Sequence, residues 1–172
     1  MAHPRSAGLL LYRIRRESLE LFLAHPGGPF FRNRDEGVWT IPKGIIEPDE
    51  TPEVTALREF REEVGFTPRG ELISLGTVRQ KGGKVVEGFA VEGDLPEGFE
   101  LESNTFEVEW PRNSGHYCRF LEVDRAEFFP PETARRKLNP AQTAFVDRLE
   151  SRLGRCTGSD DGDGEGGDDG ED

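Results

Sequence analysis

Residues 44–66 read GIIEPDETPEVTALREFREEVGF, and the rest of the chain is best understood from this stretch outward. Pro48 and Pro52 keep its first third out of a helix interior. Thr51 suits an N-cap, and Pro52 suits the first helical position, where its missing N–H is not needed. Gly65 suits the residue just past a helix end. The spacing therefore predicts a loop followed by a helix over residues 52–64. At 3.6 residues per turn, Val54, Leu57, Phe60 and Val64 share one side and are expected to dock on a core. Glu59, Glu62 and Glu63 fall at i, i+3 and i+4 and are expected to gather on the opposite side.

Like charges at that spacing cost a few tenths of a kcal/mol per pair, on the order of what an opposite-sign pair gains. They also lie near the helix C-terminus, where the macrodipole disfavours negative charge. An ordinary solvated face mixes signs and avoids both penalties. A bound divalent cation relieves them, and an all-oxygen donor set suits Mg2+ or Mn2+ rather than zinc.

The stretch as a whole resembles the Nudix box, the signature of the Nudix hydrolases. Every fixed position of that pattern is filled, by Gly44, Glu50, Arg58, Glu59, Glu62, Glu63 and Gly65. Phe60 and Phe66 are aromatic where the family prefers an aliphatic residue, a departure that touches packing rather than chemistry. Just upstream, Trp39, Pro42, Lys43 and Gly44 resemble the family's lead-in, somewhat in the manner of its diadenosine-polyphosphate branch.

The resemblance implies an α/β fold: an α/β/α sandwich with a mixed β-sheet, the box loop and helix on one face and a C-terminal helix. It implies hydrolysis of a pyrophosphate bond in a nucleoside diphosphate joined to another group, with Mg2+ or Mn2+ as cofactor. Glu59, Glu62 and Glu63 would bind metal, with Glu59 also a candidate general base. Arg58 would pair with a box carboxylate, Glu50 being the first choice, and so hold Glu59 in position. Lys43 would meet a substrate phosphate, its backbone carbonyl reaching a metal; a solvated loop lysine is the other reading. An additional glutamate often comes from beyond the box, and Glu107, Glu109 and Glu122 are all candidates. The expected substrate is a small-molecule nucleotide, either a dinucleoside polyphosphate or a nucleoside triphosphate, with ADP-ribose less favoured. From another class, the alternative is a non-catalytic nucleotide-sensing Nudix module. Such modules often carry an eroded box, whereas here all its carboxylates are present.

Outside the box, the apolar runs 7–12 and 19–24 flank a charged turn and read as paired strands. His25, before the breaker Pro26-Gly27-Gly28-Pro29, either lines a ligand pocket or is hydrogen-bonded at a loop edge. Residues 38–41 read as a short strand. Segments 71–79 and 84–91 read as a hairpin around Gln80-Lys81-Gly82-Gly83, bringing Arg79, Lys81 and Lys84 to its tip. Lys81 and Lys84 are expected to contact a polyphosphate if the tip faces the box, and to be solvated otherwise. Residues 106–110 alternate apolar and acidic, as a half-buried strand does. Residues 116–123 read as one further strand and Phe128-Phe129 as a separate apolar piece. A short helix is expected over 132–138, then a longer one capped by Asn139, with Gln142 at the reciprocal capping position. Ala141, Phe145, Leu149 and Leu153 should face inward.

The chain has 172 residues and a net charge of −12. Eight of its acids and none of its bases lie in 157–172, so residues 1–156 carry only −4. Residues 1–156 read as a single domain, and 157–172 as a disordered acidic Gly/Asp tail. There is no basic excess of the kind a general nucleic-acid binder shows. Cys118 and Cys156 have no metal-site spacing, and Cys118 suits a small core residue better than a nucleophile. The cysteine usage, with no long apolar run, leads to the expectation of a cytoplasmic protein without membrane contact. Nothing in the sequence indicates an oligomeric state.

Overall fold

The computed structural model describes residues 4–155; Cys156 and the acidic segment 157–172 lie outside the described residues. Strands β1 (Arg5–Arg15) and β2 (Ser18–Pro26) form an antiparallel hairpin, followed by β3 (Lys43–Ile45) and helix α1 (Pro52–Val64). Then come β4 (Ile73–Arg79), β5 (Val85–Glu92), β6 (Thr105–Glu109), β7 (Tyr117–Leu121) and β8 (Val123–Phe129). Helices α2 (Pro131–Lys137) and α3 (Thr143–Arg152) close the described chain. The main sheet runs β4-β5-β1-β2-β8 with β3 also on β1, and β6-β7 form a separate ribbon. Only the β1–β5 pair is parallel.

This is the mixed sheet between helices that the box resemblance implied. Its core explains why 7–12 shows no alternation. Leu9 and Leu11 pack with Phe22, Ala56, Phe60 and Val64 on the α1 side. Leu10 and Tyr12 pack with Leu21, Leu23, Trp39, Phe145 and Leu149 on the α3 side. A strand buried on both faces has no polar side to show.

The sheet positions the box by splitting. β1 and β2 pair directly only from Tyr12↔Leu21 to Arg15↔Ser18. Where they diverge, the segment before the box fills the gap. Ala24 and Thr40 exchange backbone hydrogen bonds at 2.8 and 2.9 Å, Leu9 N–H donates to Pro42 O at 3.0 Å, and β3 pairs with Ser6–Gly8. Residues 38–41 are accordingly not the strand expected; single bridges hold Trp39 and Thr40, and the regular strand comes later. Trp39 is the anchor, 1% exposed, its ring edge-on to Phe129 at 5.0 Å and its Nε1 donating to Asp35 at 2.8 Å.

Helix α1 has the expected caps: Val54 N–H donates to the Thr51 hydroxyl, and Gly65 takes the left-handed conformation at φ 106°. Phe60 and Val64 face inward as expected and Leu57 packs partly buried against the same cluster; Val54 is the exception. Val54 is 51% exposed, and Thr55 and Ala56 are buried beside Phe60 and Val64.

Two further readings change. Residues 116–129 are two strands, broken at Glu122, where the chain leaves the ribbon for the main sheet. Glu122 N–H donates to Asn104 O, and its carbonyl accepts from Gly27 N–H, both at 2.9 Å. Phe128 and Phe129 belong to β8. At the C-terminal end a 3-10 turn, Pro140–Gln142, precedes α3. Asn139 does cap it, accepting from Ala141 N–H, but Gln142 is fully buried and engaged elsewhere. Phe145 and Leu149 face the core as expected, with Leu153 partly buried against it. Among the described residues no helix is long and apolar enough to cross a membrane.

Candidate active site

One cleft of about 420 Å³ brings together Lys43, Gly44, Glu59, Glu62, Glu63, Lys84 and Glu122. Three parts of the chain build it. The acids come from the last two turns of α1, Lys43 and Gly44 from β3, and Lys84 from the end of the β4–β5 turn. Asn104 and Glu122 border it where the β6–β7 ribbon begins and ends.

Arg58 organises the acids. Its Nε and Nη2 form a two-pronged pair with Glu50, each at 2.8 Å, and its Nη1 donates to Glu59 at 2.9 Å and Glu62 at 3.2 Å. Fork-shaped pairing of this kind fixes direction as well as distance. The Arg58 hydrogen bonds hold the Glu50 carboxyl down to about 2. Glu50 also accepts from the Thr55 hydroxyl at 3.0 Å, so it is fixed from two sides. Gly44 is required for a steric reason: a Cβ there would overlap the Glu59 carboxyl.

Burial pushes the Glu59 and Glu122 carboxyls up, opposed at Glu59 by Arg58 and at Glu122 by Lys43. Glu63 sits deepest. Its carboxylate accepts the Lys43 backbone N–H at 3.2 Å, and burial raises it while Lys43 opposes. The Lys43 ammonium is pulled down by burial and then by the neighbouring Lys84 ammonium, against Glu63 and Glu59. Two cationic side chains thus share the cleft with its carboxylates.

The oxygen-only donor set fits a hard divalent cation. Glu59 and Glu62 already converge on a single cationic nitrogen of Arg58. Among the described residues no three His, Cys, Asp or Glu side chains are gathered in a geometry that would hold a metal as they stand. The Arg58 guanidinium takes the point where two of them meet.

Of the three later glutamates, Glu122 alone borders the cleft. Glu107 pairs with Arg119 across the ribbon, and Glu109 accepts from Gly115 N–H. No sequence spacing separates these three; the crossing at Glu122 does. Lys84 reaches the cleft, whereas Lys81 is exposed at the turn and outside its lining. His25 is outside the lining of this cleft. It is fully buried, with Nδ1 2.7 Å from Asp124 and Nε2 2.6 Å from Arg34 O. A second cleft of about 380 Å³ shares Lys43 with the first and is lined by Phe31, Arg34, Thr40, Gln80 and Asn139. Asn139 was legible only as a cap, and nothing in the sequence marks Gln80.

The family described as NUDIX domain matches residues 2–149. An RNA pyrophosphohydrolase of Hahella chejuensis is 38% identical over 64 residues, 36% of this chain and 40% of that protein. One from Gluconacetobacter diazotrophicus is 54% identical over 39 residues, 23% of this chain and 21% of that protein. The chain thus aligns with well under half the length of these relatives. In fold it is similar to a Caenorhabditis elegans Ap4A hydrolase, with a TM-score of 0.62 at 20% identity, covering 87% of this chain and 98% of that one. It is also similar to the NUDIX domain of Shewanella oneidensis NrtR solved with ADP ribose, with a TM-score of 0.61 at 17% identity, covering 89% and 90%. With a complete box, the split sheet that presents it and a family match over most of its length, this chain belongs to the Nudix family.

Proposed function

We propose that the protein is a Nudix pyrophosphohydrolase that cleaves a phosphate anhydride in a nucleotide. The observation that carries this reading is one cleft lined by Glu59, Glu62, Glu63 and Glu122 together with Lys43 and Lys84. A polyphosphate chain suits both sets of charges, provided that cations lie between it and the acids. Glu59, Glu62 and Glu63, with Glu122 beside them, are the residues that would hold Mg2+ or Mn2+. The metal supplies Lewis acidity toward phosphate oxygens and water.

The chain's own residues do the rest. Lys43 and Lys84 neutralise and orient phosphate oxygens, a role served by positioning and charge rather than by a covalent intermediate. Glu59, with its carboxyl raised by burial, is the candidate general base. Arg58, anchored on Glu50, holds that carboxyl in place; on this reading Glu50 and Arg58 are positioning residues. Lys81, being outside the cleft, contacts only a substrate long enough to leave it.

Dinucleoside polyphosphates and nucleoside triphosphates remain the favoured substrates. Relatives named RNA pyrophosphohydrolase add a third candidate, a pyrophosphate bond carried by RNA. The test is a panel of all three, and ADP-ribose, with Mg2+ or Mn2+ and chromatographic separation of products. Metal-dependent release of a phosphate-containing product is expected, lost in Glu59→Gln and Glu63→Gln. Full activity in either folded variant overturns the reading. Saturable binding without any turnover favours a nucleotide sensor instead.

A further inference from the structure

The polar side chains that line the second cleft present mainly hydrogen-bond donors, and the backbone fixes the orientation of two of them. Ile41 N–H donates to Gln142 Oε1 at 2.9 Å. A backbone N–H can only donate, so the Gln142 oxygen must face it and the Gln142 amine must face the other way. That amine donates to Gln80 Oε1 at 2.8 Å. Gln80 thereby has its oxygen committed, and what it has left for the cleft it lines is NH2. Asn139 is fixed by the same logic: Ala141 N–H takes its Oδ1 at 3.1 Å, leaving its NH2. Arg34 and Lys43 are donors by nature. Thr40 donates its hydroxyl to Ile41 O at 2.7 Å, leaving its oxygen as an acceptor, while the Gln80 and Asn139 oxygens are turned toward Gln142 and Ala141.

The geometry points to this cleft as a base-binding subsite selective for an oxo-purine, guanine rather than adenine. Guanine carries two neighbouring acceptors, O6 and N7, on one edge, and adenine replaces O6 with an amine. Against the Gln80 and Asn139 amines, guanine finds a partner for each acceptor. Adenine sets its amine among donors and leaves at least one of them unpaired, which a desolvated site penalises. Phe31 adds an apolar face. The shared residue Lys43 ties base and polyphosphate together, so the assignment rests on the reading of the first cleft given above.

Nucleoside monophosphates contain no anhydride, so their binding tests the base assignment separately from hydrolysis. Calorimetric titration with GMP, IMP and AMP should show GMP and IMP binding about 10-fold or more tighter than AMP. IMP keeps O6 and N7 but lacks the guanine 2-amine, so it isolates that edge. Gln80→Glu and Asn139→Asp keep the oxygens that serve Gln142 and Ala141, and replace only the outward amine with oxygen. Added charge weakens all three ligands alike, so the GMP:AMP ratio is the quantity to read, and each variant should bring it close to one or below. Equal affinities in the wild type, no saturable binding of any of the three, or an unchanged ratio in both variants overturns the assignment. Preference without turnover of any polyphosphate leaves the base assignment standing and removes the hydrolase reading. Turnover without preference does the reverse.

Discussion

At the scale of single residues, Glu50 and Gly44 show two ways of aiming one carboxylate. Glu50 does so through Arg58, whose hydrogen bonds hold it down to about 2 from an ordinary 4.5. A carboxyl depressed on folding adds stability above its unfolded value and loses it as pH falls toward the folded one. The difference in urea midpoint between wild type and Glu50→Gln will therefore be widest at neutral pH and close between about pH 4.5 and about 2. A gap that stays constant over that window would show the pair contributing nothing through its charge. Gly44 acts by absence. Gly44→Ala displaces the Glu59 carboxyl, the far end of a flexible side chain, so the fold should survive. Steady-state kinetics should show kcat lower by about 100-fold, with the melting temperature little changed.

At the scale of elements, the β1–β2 turn is built from residues that do not favour it. Arg16 and Glu17 both have positive φ, 51° and 68°, in a two-residue connection. Such turns favour Asn followed by Gly, because side chains crowd the backbone in the left-handed region. The double substitution Arg16→Asn, Glu17→Gly should raise stability by about 1 kcal/mol, measured by chemical denaturation. Helix α1 carries the opposite lesson. Both of its ends were legible because capping is local chemistry, and Thr51, Pro52 and Gly65 act on their immediate neighbours. Its inward face was misread at Val54 because the buried place in the first turn goes to Thr55, whose hydroxyl donates to Glu50, a partner outside the helix that an apolar periodicity does not show. The 3-10 turn at Pro140–Gln142 was missed for a related reason. Gln142 sits where a capping box would use it, yet a buried backbone N–H, 101 residues away in sequence at Ile41, claims its oxygen.

At the scale of the molecule, β1 makes two cores into one. Its alternate side chains enter both clusters, so neither can loosen alone. Phe60→Ala, on the α1 side, will cost about 3–5 kcal/mol. Made in a Trp110→Phe background, so that fluorescence reports Trp39 in the other cluster, the loss will appear equally in fluorescence and in far-UV circular dichroism, as one transition. Separate transitions would show the faces folding independently. The chemistry of the site was legible because the box is contiguous, and its carboxylates are positioned by one helix and one arginine. The rest of the site was not. Glu122, Gln80, Gln142 and Asn139 come together through strand crossings and the split between β1 and β2, which leave no mark at a fixed sequence spacing.

That split has a consequence for how selectivity can change. The segment inserted there faces the acids through Lys43 and Gly44, and meets the second cleft through Val38, Thr40 and Lys43. The loop between β2 and this segment is pinned near both ends, by His25 on Asp124 and by Trp39 in the core. Reaction machinery and recognition surface are thus modular, sharing one short seam. Residues 29–33 lie between Gly27, held on Glu122, and Arg34 and Asp35, which partner His25 and Trp39; exchanging that short stretch, which carries Phe31, would alter the second cleft while the carboxylates stay where Arg58 holds them.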